Sequence, residues 1–101
     1  MNSEDVISIL RSHELELRAL GVAHAGLFGS LARGEAAPMS DVDVLVQFDP
    51  DASITLWDYV AVKRRVSSML SAAARQIDVV DLDGMNVRVR PAVERDALYA
   101  F

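Results

Sequence analysis

Apolar stretches of two different periods alternate along these 101 residues, and that alternation limits the chain to helices packed on a small sheet. With Ser3 as an N-cap, Val6, Ile9, Leu10, Leu17 and Leu20 recur at helical spacing up to Gly21, which suits a helix end. Val22 to Phe28 reads as a short buried strand running straight into Gly29-Ser30. Leu31-Ala32-Arg33 then suit a short helix that stops at Gly34. Residues 35 to 40 contain Pro38 and make a loop. Asp41 to Phe48 is a second strand, closed by Asp49-Pro50-Asp51. Thr55 and Asp58 have capping-box spacing, and Tyr59, Val62, Val66, Met69, Leu70 and Ala73 follow as an apolar helical stripe. Gln76 to Asp81 makes a third strand, and residues 84 to 90 fit no single state. Pro91 suits the first position of a last helix, with Val93, Ala97, Leu98 and Phe101 facing inward. The expected fold class is α/β, in the form of an α+β sandwich. A mixed sheet of about three strands carries flanking helices, and residues 1–101 form a single domain.

Composition narrows the function. Half of the residues are apolar (51%) and a quarter charged (25%), a globular balance rather than a disordered one. No apolar run reaches the length of a membrane span, and the acidic start Met1-Asn2-Ser3-Glu4-Asp5 has no signal-peptide character. With no cysteine there are no disulfides and no thiolate metal sites. A cytoplasmic protein without a membrane partner is expected. The net charge of −5 argues against direct binding to a nucleic-acid backbone. It leaves nucleotides open, because a divalent cation can bridge carboxylates to phosphates.

Three sets of residues stand out chemically. Gly29-Ser30 lies where a strand feeds a helix, so free backbone N–H groups and a hydroxyl meet there, as phosphate binding requires. Ser30 as a mere N-cap is the plainer alternative. Asp41 and Asp43 are two apart at the start of a strand, so both carboxylates project to one side. Such like charges repel unless a cation lies between them, and Mg²⁺ or Mn²⁺ has the matching preference for hard oxygens. A solvated strand start, with Asp41 closing a turn, is the competing account. Asp78 is a charge amid the β-formers of the third strand, poorly placed unless paired or coordinated. Asp81 is its rival, on the opposite face and nearer the strand's end. Three acids from adjacent strands can hold two metal ions for in-line displacement at phosphorus.

The remaining polar and aromatic residues suggest less. His13 and His24 have no second His or Cys at ligand spacing and read as packing residues. Lys63-Arg64-Arg65 reads as a solvated helix face, and Trp57 and Tyr59 as core or rim aromatics. The apolar tail Leu98-Tyr99-Ala100-Phe101 either covers the core or meets a partner.

Taken together, Gly29-Ser30, ten intervening residues and Asp41-x-Asp43 match the signature of the DNA polymerase β-like nucleotidyltransferase superfamily. The run Gly-Ser-Leu-Ala-Arg-Gly-Glu, followed by Ser-Asp-Val-Asp-Val-Leu-Val, resembles its minimal branch, the MNT-type antitoxins paired with HEPN-domain toxins. The resemblance runs from the leading helix to Pro91 and its helix, and it implies the polymerase β-like fold. It also implies that Gly29 and Ser30 hold the triphosphate of ATP, with Asp41 and Asp43 on the catalytic Mg²⁺ or Mn²⁺. Asp78 would be the third carboxylate, a metal ligand that helps deprotonate the attacking hydroxyl. Arg33 matches an arginine common in this branch, either steadying phosphate or pairing with an acid. The implied activity is transfer of AMP from ATP to a tyrosine hydroxyl of a cognate HEPN ribonuclease toxin, within a hetero-complex. Two alternatives remain: an antitoxin that acts by binding alone, and a nucleotidyltransferase acting on a small-molecule hydroxyl.

Overall fold

The computed structural model describes residues 2–34, 41–71 and 76–101. The first helix, α1 (Ser3–Ser12), is capped by Asn2 rather than Ser3. The Asn2 side chain accepts from the Asp5 N–H while the Asp5 carboxylate accepts from the Asn2 N–H, a reciprocal capping box. The single helix expected up to Gly21 is two, because α2 (Glu14–Ala19) starts afresh after His13. The Ser12 hydroxyl donates to the Ile9 carbonyl (2.7 Å) and the His13 ring meets the same oxygen (2.8 Å), so local side-chain bonds end the first helix. Val6, Leu10 and Leu17 still point into one core.

Among the described residues one sheet of four strands follows, β1 (Val22–Phe28), β2 (Val42–Phe48), β3 (Ile77–Asp81) and β4 (Leu98–Tyr99), in the order β3-β2-β1-β4. β1 and β2 are antiparallel, whereas β3 runs parallel to β2. Between them lie α3 (Gly29–Ala32) and α4 (Leu56–Leu70), the latter opened by the Thr55–Asp58 capping box. Val42, Val44, Val46 and Phe48 face one side of the sheet. They bury against Val6, Leu10 and Leu17 from the first two helices and Val62, Val66 and Leu70 from α4. Tyr59 fixes α4 to β3, its hydroxyl donating to the Val79 carbonyl at 2.9 Å. On the other face Leu45 is fully buried, and Leu82 is buried in a 3₁₀ turn (Leu82–Gly84) that packs on β2.

The sheet is mixed, as expected, but has a fourth strand. The last helix, α5 (Arg90–Asp96), carries Pro91 in its first turn and ends earlier than the apolar spacing suggests. Ala97 turns extended, and Leu98–Tyr99 becomes β4, antiparallel to β1, with Ala100 N–H donating to the Ala25 carbonyl at 2.8 Å. Two causes combine. The outer edge of β1 needs partners for its backbone groups, and Gly26 leaves room for them. A Cβ at Gly26 would lie 2.6 Å from the Leu98 carbonyl oxygen. Ala100 is buried, so the tail does cover the core, while Leu98 and Tyr99 stay partly exposed. Trp57 is no core residue: 79% of it is exposed, whereas Tyr59 packs on the core against Phe48. Lys63 and Arg64 are solvated as expected, and Arg65 pairs with Glu16. Ala73 and the loop of residues 35–40 lie outside the described residues. Among the described residues, no helix is long and apolar enough to cross a membrane.

Candidate active site

The antiparallel turn from β1 to β2 and the parallel pairing of β2 with β3 bring three strand ends to one end of the sheet. β1 finishes there at Phe28, while β2 and β3 begin there. The register lines up Phe28, Asp43 and Asp78 in one row across the three strands. Adjacent strands lie about 4.8 Å apart and paired positions share a face, so Asp43 and Asp78 present neighbouring carboxylates. Asp81 is three residues further along, opposite the buried Val46. Its carboxylate accepts from the Asp83 N–H (3.0 Å) and caps the 3₁₀ turn. Strand pairing therefore puts Asp78, not Asp81, beside Asp43. Asp41 sits exposed just ahead of β2.

The electrostatics reflect this crowding. Partial burial, then the charge of Asp78, then that of Asp41 push the Asp43 carboxyl above its ordinary range, against a smaller opposing pull from Arg33. Asp43 thus feels both other acids and Arg33, and its ionised form gains from an added cation.

Gly29 completes the wall. It has a positive φ of 76°, and a Cβ there would collide with the Asp43 carboxylate. The conformation favours glycine, and a side chain there would displace the Asp43 carboxylate. The cap position of α3 is Phe28, without a side-chain cap bond, so Ser30 is not the helix cap of the plainer alternative; it stands half-buried inside the first turn. Phe28, Gly29 and Arg33 face Ala92, Val93 and Asp96 of α5 across a cleft of about 280 Å³.

Among the described residues, no three His, Cys, Asp or Glu side chains are gathered into a ready-made metal cage. The histidines stay apart from the acids. His13 is held by Ile9 and Ser12, and His24 is exposed with its ring edge-on to Tyr99. One residue missed from the sequence belongs to the site's surroundings: Gln76, whose amide donates to Asp78 at 3.1 Å. Its sequence signal is faint, a lone amide two residues before the acid.

Residues 10–98 match the nucleotidyltransferase domain family. This chain belongs to that family. The protein adenylyltransferase MntA of Thermococcus cleftensis is 34% identical over 97 residues, spanning 95% of this chain and 93% of its own. A solved structure assigned as a minimal nucleotidyltransferase is also 34% identical. It superposes with a TM-score of 0.74 over 97% of this chain and 95% of its own. The fold is shared, at 16% identity and a TM-score of 0.61, by the chain matched in a complex of an AMPylated HEPN toxin with its MNT antitoxin from Shewanella oneidensis. That match covers 94% of this chain and 71% of the other. The two relatives at 34% identity place this chain among the minimal nucleotidyltransferases.

Proposed function

We propose that residues 1–101 act as one catalytic domain, an antitoxin that transfers AMP from ATP to a tyrosine hydroxyl of a cytoplasmic HEPN-domain toxin and so silences it. The observation that carries this reading is the carboxylate row of Asp43 and Asp78 set against Gly29. The MntA relative, named a protein adenylyltransferase, supports the reaction class, and the MNT–HEPN complex of like fold supports the partner class.

The donor set fits an oxygen-preferring divalent cation: carboxylates only, with Asp43 destabilised as an anion by partial burial and then by Asp78 and Asp41. Asp41, Asp43 and Asp78 would hold Mg²⁺ or Mn²⁺. The bound cation supplies charge neutralisation at the phosphate oxygens and makes the acceptor hydroxyl more acidic. Gly29 and Ser30 hold the triphosphate of ATP through backbone N–H groups and the Ser30 hydroxyl, the missing Cβ letting phosphate approach. Arg33, on the rim of the neighbouring cleft, steadies that negative charge. Asp78 accepts the proton of the attacking hydroxyl. The hydroxyl oxygen bonds to the α-phosphorus, the bond to the β-phosphate bridge breaks, and pyrophosphate leaves.

Intact-mass spectrometry of a co-expressed HEPN partner tests this reading. Added adenylate on a tyrosine is expected with the wild type and absent with an Asp41→Ala/Asp43→Ala variant. An unmodified partner that both proteins still neutralise would replace catalysis with inhibition by binding.

A further inference from the structure

The row of acids is not held by the strands alone. Gln76 lies just before β3, outside the Gly-Ser and Asp-x-Asp motifs, and reaches two of the three acid-bearing segments at once. Its side-chain amide donates to Asp78 Oδ1 at 3.1 Å. Its main-chain carbonyl accepts from the Val42 N–H at 2.9 Å. Val42 is the residue between Asp41 and Asp43, so the carbonyl bond fixes the start of β2 against the start of β3. The side-chain bond then restrains the orientation of the Asp78 carboxylate through Oδ1.

We infer that Gln76 is a positioning residue for the acidic site, aiming the Asp78 carboxylate at the divalent cation and the attacking hydroxyl. The inference rests on the proposed role of Asp78. An Asp side chain on a strand start can rotate, and a carboxylate that turns away is lost as both ligand and base. An amide N–H is the one part of Gln76 that can hold it, since the carbonyl end of the amide would repel the carboxylate. Partners of metal-binding groups at this remove characteristically change metal affinity or rate by about 10–100-fold when removed. The residue is exposed, so its side chain contributes little to the core. Substitution also leaves the main-chain bond to Val42 available.

The test uses Gln76→Met, which keeps the side chain's length and removes the N–H donor, with Asp78→Asn and the double variant. Mn²⁺ binding to the ATP-free protein, followed by water-proton relaxation, gives a readout independent of turnover. Steady-state adenylyl transfer gives kcat and KM for ATP, and thermal melting checks the fold. Gln76→Met is expected to weaken Mn²⁺ binding and lower kcat by about 10-fold, with the KM for ATP within about twofold and an unchanged melting profile. In the Asp78→Asn background the same substitution is expected to change neither quantity further, because the group it aims is gone. Wild-type Mn²⁺ binding and kcat in Gln76→Met, beside a defective Asp78→Asn, would overturn the positioning role alone. Wild-type behaviour of Asp78→Asn would overturn the assignment of Asp78 itself, and the role of Gln76 with it.

Discussion

Asp43 carries the clearest trade between stability and function. Its carboxyl is pushed upward by burial and by Asp78 and Asp41, so the folded chain holds that proton to higher pH than the unfolded chain does. Its favourable contribution is therefore complete below the ordinary Asp range and is lost as pH rises through the raised folded value. Metal-free protein should accordingly gain from Asp43→Asn at neutral pH. Melting curves in a chelator are expected to show wild type and Asp43→Asn converging as pH falls into the carboxylate range. The variant should be the more stable of the two above that range. The variant's activity should fall by at least about 100-fold, the usual scale for loss of a group that stabilises transition-state charge. The Asp41/Asp43 pair was read from the alternation of strand side chains, although β2 begins at Val42 and Asp41 stands just ahead of it. Asp78 was favoured over Asp81 by its position amid the β-formers, Asp81 lying nearer the strand's end. The collision of a Gly29 Cβ with Asp43 was not legible, since it depends on a contact across strands that no local pattern encodes. Gln76 shares a strand face with Asp78, but a lone amide two residues before an acid carries no signal of its own.

Among the elements, β4 is the one that the apolar spacing concealed. It has two residues and exists because β1 offers it an edge, so Leu98 and Phe101 read equally well as the inward face of a longer helix. Gly26, set in an apolar strand, was the available signal of a close backbone approach. Gly26→Val places bulk where the Leu98 carbonyl and Tyr99 backbone now lie, an overpacking that should cost about 1–3 kcal/mol. Hydrogen exchange at the Ala100 amide is expected to quicken in that variant while the β2–β3 amides keep their protection. Unchanged exchange at Ala100 would mean that Gly26 does not govern the docking of the tail. The break between α1 and α2 was hidden for a different reason. Apolar spacing continues through it, and the interruption comes from Ser12 and His13 bonding back to Ile9. By contrast, α4 and its Thr55–Asp58 capping box were readable, because a cap and an apolar stripe are local patterns.

At the scale of the whole molecule, an acidic chain of net charge −5 concentrates three carboxylates at one end of a small sheet. We propose that this end is an adenylyl-transfer centre rather than a charged surface feature. The direct measurement is transfer of label from α-labelled ATP to a purified HEPN partner in the presence of Mg²⁺. Wild-type protein is predicted to label the partner and release pyrophosphate. Asp43→Asn should label it at least about 100-fold more slowly, and chelation of the metal should abolish labelling. Equal labelling of the partner by wild type and Asp43→Asn would contradict the account.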